Sequence, residues 1–392
     1  MPEVFGQALI SMRAINKGPS LTIPFLDLHA AYQELQPELD AAYQRVMTSG
    51  WYILGAEVDA FETEFAAYCG TRHCVAMANG LDALHLILRA YDIGPGDEVI
   101  VPSNTYIASW LAVSQAGATP VPVEPVLETS NLDPALVEAA ITPRTRAIMP
   151  VHLYGQTADT APLMEIAKRH GLRVVEDAAQ AHGAGGRGTR AGALGHAAGW
   201  SFYPGKNLGA FGDAGGVTTD DDQLADRLRV LRNYGSRVKY FNEVQGYNSR
   251  LDPLQAAFLR ARLQHLDEWN GRRARIADRY LTALSGLPGI SVPHVPEWAS
   301  PAWHLFVIRC REREQLQAYL HSQGIGTLIH YPVPPHRSGA YAGTPAAAGS
   351  YPLADELADT VLSLPIGPHM TDDQQGAVID ALLAWGSKSA ST

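Results

Sequence analysis

A single lysine stands between aromatic residues and a dense run of glycines in the stretch Trp200-Ser-Phe-Tyr-Pro-Gly-Lys206-Asn-Leu-Gly-Ala-Phe-Gly-Asp-Ala-Gly-Gly216. Five glycines among the twelve positions 205–216 specify a backbone that bends sharply and lets a small molecule approach where a side chain would block it. An amine in that setting can attack a carbonyl carbon and form a Schiff base, which needs only that the amine be exposed to an aldehyde. A solvated surface loop is the bland reading. A phosphate-binding loop of the Walker type is the competing chemistry, since Gly199 and Gly205-Lys206 resemble one. That reading fails twice: five residues separate the glycines instead of four, and Asn207 stands where Ser or Thr would bind magnesium.

Other stretches carry compatible chemistry. Asn79-Gly80-Leu81-Asp82 lies between an apolar run and an apolar helix, where a glycine turn leaves N–H groups free with a helix dipole behind them, as a phosphate site requires. Any strand-to-helix turn can contain glycine, so alone it decides nothing. In Val174-Val-Glu-Asp177-Ala-Ala-Gln180, Asp177 ends a buried run, and a carboxylate there needs a cation or strong donors. It could equally cap a helix. Were the cofactor pyridoxal phosphate, Asp177 would keep the pyridine nitrogen protonated, Gln180 could reach the ring hydroxyl, and Ser201 could share the phosphate with Gly80. Tyr106 in Ser103-Asn-Thr-Tyr106 could stack on a flat ring or be core. Asn248 and Arg250 in Gly246-Tyr-Asn-Ser-Arg250 read as loop hydrogen-bonding residues.

The elements that must position these residues are legible from periodicity. Apolar runs at 73–78, 98–102, 119–123, 147–151, 173–176, 199–203 and 216–219 alternate with helical or loop segments, which predicts an α/β layer with a largely parallel sheet. Ligands gather at the carboxyl ends of such strands, where all the candidate residues lie. The spacing also predicts a helix over 32–47 with Pro37 early in it, an amphipathic helix over 57–68, and one or two long helices over 252–287 that bridge to a second region. A strand at 304–309 and a helix at 312–322 make that region a small α+β domain. We divide the chain into 1–21, an N-terminal extension expected to be mobile, a large domain 22–270, and a small C-terminal domain 271–392.

Composition bounds the function. With 392 residues, 46% hydrophobic and 18% charged, the chain can build a large core and suits a globular enzyme. Its net charge of -10 argues against general nucleic-acid or anionic-membrane binding, so a phosphorylated ligand must be met by local cations and backbone amides. Three cysteines, Cys69, Cys74 and Cys310, have no metal-pair spacing and read as buried apolar residues in a reducing cytoplasm. No apolar run is long enough for a membrane span, and the first residues lack the order of a signal peptide.

Together, Glu176-Asp-Ala-Ala-Gln-Ala-His182, Ser201-Phe-Tyr-Pro-Gly-Lys-Asn-Leu-Gly209 with Gly212-Asp-Ala-Gly215, and Gly246-Tyr-Asn-Ser-Arg250 resemble the DegT/DnrJ-type nucleotide-sugar aminotransferases, a branch of the fold-type I pyridoxal phosphate enzymes. The resemblance runs from about Ile23 to near the end. It implies an α/β fold with a mostly parallel seven-stranded sheet between helices and a small α+β domain. It implies that Lys206 carries pyridoxal 5'-phosphate, that Asp177 and Gln180 hold the ring nitrogen and hydroxyl, and that Tyr106 lies against the ring. Gly80, Leu81 and Ser201 would hold the phosphate, and Asn248 would reach the phosphate of a neighbouring copy in a homodimer with shared active sites. Leu81 stands where many members have Ser or Thr, which leaves its backbone N–H for the phosphate, and Leu251 where many have Met.

Relatives that dehydrate sugars carry histidine at the lysine position, so Lys206 implies transfer. The segment Ile329-His330-Tyr331-Pro-Val-Pro-Pro-His336 resembles that of enzymes aminating carbon 3 of dTDP-keto-6-deoxyhexoses. We therefore expect L-glutamate as donor, released as 2-oxoglutarate, and a dTDP-keto sugar as acceptor. His330 and Tyr331 would lie near the hexose, and Arg237, Lys239 and Arg250 could face the diphosphate. Competing readings are a C4 sugar or keto-inositol aminotransferase and a non-catalytic regulator that retains the cofactor.

Overall fold

The computed structural model describes residues 23–389, so the expected N-terminal extension lies outside the described residues. Asp27 opens the first helix, Leu28–Glu34 (α1), by accepting from the His29 and Ala30 amides at 2.9 and 3.0 Å, which satisfies two donors that a helix start leaves free. Gln36–Ser49 (α2) follows directly with Pro37 in its first turn. The single helix expected over 32–47 is thus two. Pro37 has no N–H to continue the first helix and its ring crowds the preceding turn, whereas neither matters at the start of a new one. Ala56–Cys69 (α3) buries Val58, Phe61 and Phe65 on one face.

The sheet strands are His73–Met77 (β1), Glu98–Pro102 (β2), Thr119–Val123 (β3), Thr145–Ile148 (β4), Arg173–Asp177 (β5), Ala197–Ser201 (β6) and Gly215–Thr219 (β7). They form one seven-stranded sheet in the order β1-β7-β6-β5-β4-β2-β3. The β2–β3, β2–β4, β4–β5 and β5–β6 pairs are parallel, and only β7 runs against its neighbours. Strand β6 begins two residues before the 199–203 expected for it. Ala197, Ala198 and Gly199 lack apolar bulk, yet they are buried because a helix lies on them: a Cβ on Gly199 would come within 2.6 Å of Leu84 Cδ2, in Gly80–Ala90 (α4). Phe202, just past the strand, still donates its amide to Ala214 O at 2.8 Å in line with the β6–β7 register, while its carbonyl accepts from the Ala210 amide at 2.7 Å.

Two apolar layers sandwich the sheet. Helix α4 and Ile107–Gln115 (α5) build one with Trp110 and Met77. Helix α3 and Pro253–Leu263 (α6) build the other around Phe61, Phe65, Trp200 and Phe202. A separate core around Tyr280, Trp303, Phe306 and Leu382 serves the C-terminal part, whose strands Phe306–Arg309 (β8) and Val361–Leu364 (β9) pair antiparallel. The helix Leu266–Leu284 (α7) belongs to both, with Leu266 in the sheet layer and Ile276, Tyr280 and Leu284 in the C-terminal core. The expected domain boundary at residue 270 therefore falls inside one continuous helix. All three cysteines are free and buried. No helix of the described residues is long and apolar enough to cross a membrane.

One contact sets the level of the functional edge. Gly215 starts β7 opposite Met77 at the end of β1 and Ser201 at the end of β6. A Cβ on it would sit 2.2 Å from the Asn79 carbonyl oxygen, so only glycine lets the turn after β1 press onto β7. Gly215→Ala should destabilise the protein by about 1–3 kcal/mol or more, read as a lower thermal midpoint. Gly376→Ala, in a helix where an added Cβ meets nothing within 4 Å, should leave the midpoint unchanged or slightly raised.

Candidate active site

The ends of β1, β2, β5 and β6 gather most of the residues singled out from the sequence. After β1, Asn79 caps α4 by accepting from the Asp82 amide at 2.8 Å. The amides of Gly80 and Leu81 are then left without an acceptor among the described residues, at the positive end of an eleven-residue helix. A Cβ on Gly80 would be 2.6 Å from Ser201 Cβ. Gly80, Leu81 and the Ser201 hydroxyl thus bound one small cradle of donors, suited to a phosphate.

Asp177 closes β5 and is buried. Its Oδ2 accepts from the Ser109 hydroxyl at 2.7 Å and its Oδ1 from the Ala179 amide at 3.2 Å, and Ser109 is in turn bonded to Thr105 at 2.9 Å. Burial pushes the Asp177 carboxyl above the usual carboxylate range, against those two hydrogen bonds and the Lys206 charge. It forms no ion pair among the described residues. Such a group gains most from a cation placed beside it.

Lys206 follows β6 in a turn closed by its own amide on Tyr203 O at 2.8 Å. Desolvation lowers its amine to about 8, although Asp177 pulls the other way. Three histidines surround the amine electrostatically and are held uncharged, first by burial and then by the lysine. His182 is pushed down to about 3, His330 to about 4, and His304 well below its usual value. The lysine is therefore the group among these that gains or loses a proton near neutral pH. Asn207 fixes the turn, donating to Asn270 and to Ala302 O at 2.9 and 2.8 Å while its oxygen faces His304 Nδ1 at 3.1 Å.

Gln180 is oriented by its partners. The Tyr154 amide can only donate, and it meets Gln180 Oε1 at 2.6 Å. The Gln180 amino group is thereby turned outward, donating to Tyr331 Oη at 2.9 Å with a second N–H to spare. Tyr106 is 53% exposed with its ring 5.0 Å from that of Tyr331, so it is a surface of the cleft and not core. His330 Nδ1 is bonded to Ser363 Oγ at 2.8 Å.

The remaining candidates lie apart. Arg250 donates to Asn233 at 3.0 Å and lies over the Tyr234 ring. Lys239 lies over Tyr240 in an exposed hairpin, and Arg237 is paired with Asp226 and Glu243. Asn248 is exposed, next to Ser249, whose hydroxyl accepts from the Ala78 amide at 3.3 Å just before the Gly80 turn. None of these is hydrogen-bonded or ion-paired to Lys206 or Asp177 among the described residues.

The sequence reading passed over Ser109 and Tyr154, and gave Asn207 and His304 no part in the site, naming the first only against a Walker loop and the second only as a strand start. Ser109, in the first turn of α5, bonds Thr105 just ahead of that helix, the one local contact among them. The others depend on chain segments that are distant in sequence.

These residues fit pyridoxal phosphate: a donor cradle, a buried carboxylate wanting a cation, an amide held as donor, and a lysine poised as free amine. If so, capture of pyridoxal phosphate by the apoprotein should accelerate as pH rises and level off above about 8. Asp177→Asn should move that midpoint lower, because the carboxylate is what raises it; a midpoint near 10.5, the ordinary lysine value, would disprove the poised amine.

Comparison with known proteins accords with this geometry. A family model described as the DegT/DnrJ/EryC1/StrS aminotransferase family matches residues 33–383. A dTDP-3-amino-3,4,6-trideoxy-alpha-D-glucose transaminase from Streptomyces venezuelae is 60% identical over 93% of this chain and 97% of its own. The crystal structure of S. venezuelae DesV in complex with a ketimine intermediate superposes with a TM-score of 0.91 at 61% identity, covering 93% of this chain and 98% of that one. A Bacillus subtilis structure, ntda with bound cofactor PMP, has a TM-score of 0.87 at 32% identity, covering 95% and 86%.

Proposed function

We propose, for a chain that belongs to the DegT/DnrJ/EryC1/StrS aminotransferase family, that it transfers the amino group of L-glutamate to carbon 3 of a dTDP-3-keto-6-deoxyhexose. The chain is an aminotransferase, and its product is a dTDP-amino sugar for deoxyamino-sugar biosynthesis in the cytoplasm. The observation that carries the reading is the pairing of a lysine amine held near a pKa of about 8 with a buried carboxylate, at the end of the adjacent strand, that has no ion-pair partner among the described residues. The choice of sugar and carbon is taken from the 60% identical transaminase named for a 3-amino sugar.

When bound, pyridoxal phosphate supplies an aldehyde that joins to amines and a protonated ring that draws electrons away from the carbon losing its proton. The chain supplies the rest. Gly80 and Leu81 amides and the Ser201 hydroxyl bind the phosphate, and Gln180 donates to the ring hydroxyl. Asp177 holds the proton on the ring nitrogen, its own charge favoured once that cation is present. Tyr106 covers the ring face. The Lys206 amine holds the cofactor and then moves a proton between donor or sugar carbon and cofactor, which its lowered pKa permits at neutral pH. The part built on the seven-stranded sheet binds the cofactor, and the C-terminal part beyond the shared helix brings His330 and Tyr331 to the sugar.

A homodimer with shared sites is part of the proposal. Trp51 and Tyr52 are 64% and 52% exposed, and Val238, Tyr240 and Phe241 at the hairpin 61%, 84% and 71%. Apolar surface of that extent calls for a covering copy, and Asn248, Lys239 and Arg250 next to it would then serve the partner's site.

Incubation with glutamate and a panel of dTDP-3-keto, dTDP-4-keto and keto-inositol acceptors, with NMR assignment of the aminated carbon, should give amination at C3 of the first class. Amination at C4 or of the cyclitol would overturn the substrate reading. Asp177→Asn should fold normally and lose at least about 100-fold in turnover, the scale of a lost electrostatic contribution; near-normal turnover would refute its role.

A further inference from the structure

Tyr154 holds a conformation that non-glycine residues avoid, with φ 61° and ψ 6°. Such a backbone persists where its surroundings fix it, and here they belong to three separate segments. Its amide donates to Gln180 Oε1 at 2.6 Å. Its carbonyl accepts from the Leu305 amide at 3.1 Å. Its phenol donates to the His330 carbonyl at 2.5 Å. The next residue, Gly155, has φ 95°, and a Cβ there would lie 2.6 Å from His304 N, so the turn is pressed directly onto the C-terminal part. Burial raises the Tyr154 phenol well above its usual value, which keeps it a donor.

We propose that Tyr154 is a positioning residue with two separable arms: a main-chain arm that orients Gln180 for the cofactor, and a phenol arm that fixes the His330–Tyr331 segment for the sugar. This rests on the aminotransferase reading given above. The arms serve different half-reactions. Glutamate conversion needs Gln180 oriented, which the Tyr154 amide does whatever the side chain. The sugar must also meet His330 and Tyr331. Beyond the Gln180 bond to Tyr331 Oη, that segment is pinned by the Tyr154 phenol on its backbone and by Ser363 Oγ, 2.8 Å from His330 Nδ1. Removing the phenol hydroxyl leaves a carbonyl without its donor and frees the segment, while the Gln180 contact stays.

The test is Tyr154→Phe in the holoenzyme, with the half-reactions measured separately. The glutamate-driven change in the cofactor's visible spectrum should keep its wild-type rate within about twofold. The KM for the keto sugar, and the Kd of the amino-sugar product measured by calorimetry, should each rise about tenfold, the scale of one buried hydrogen bond. Ser363→Ala, which removes the anchor on the His330 ring without touching Tyr154 or Gln180, should produce the same split. Equal slowing of both half-reactions, or unchanged sugar KM and product Kd in both variants, would overturn the proposal. Wild-type protein that does not respond to glutamate at all would instead refute the aminotransferase reading.

Discussion

A buried carboxylate without a cation is the constraint around which this molecule is arranged. Asp177 sits at the end of an interior strand, and the described residues give it a serine hydroxyl and one backbone amide but no ion pair. A charge in that position disfavours itself unless something positive arrives. The neighbouring lysine, desolvated to about 8, does not fill that role fully, and the two groups leave each other partly uncompensated. Both are therefore prepared for a third party that is cationic at one end and electrophilic at the other.

The scaffold keeps that tension in place. Parallel pairing puts Asp177 opposite Gly199 in the register of β5 and β6, and the reversed strand β7 brings Gly215 level with Met77 and Ser201. Side-chain-free contacts at Gly80, Gly199 and Gly215 draw these ends together. The C-terminal part is then tied on by Asn207, which spans Asn270, Ala302 and His304, and by Arg273, which donates to the carbonyls of Trp303, His304 and Ile366. The lysine turn and the approach to the second core are one hydrogen-bonded unit.

Much of this was legible in the sequence because it is local. The strands at 98–102 and 119–123 match their apolar runs, and Lys206, Asp177, Gly80 and Ser201 do meet at one edge. The same reading faltered where tertiary contact outweighs composition. Ala197 and Ala198 carry little strand signal, yet pairing on both sides makes them strand. The residues it passed over act across long separations: Ser109 reaches Asp177 over 68 positions and Tyr154 reaches His330 over 176. No periodicity reports such a pair. Lys239, chosen by charge, lies in an exposed hairpin instead of in the lysine's cleft, and Asn248, which the resemblance assigned to a neighbouring copy, is exposed.

Among the chain's five lysines, Lys206 follows the strand beside Asp177, so the site of covalent attachment tests the account most directly. Borohydride reduction of the holoprotein followed by peptide mass mapping should find the reduced cofactor on Lys206 alone, and Lys206→Ala protein should carry none. An adduct on Lys168 or Lys239, or trapping that persists in the Lys206→Ala protein, would contradict it.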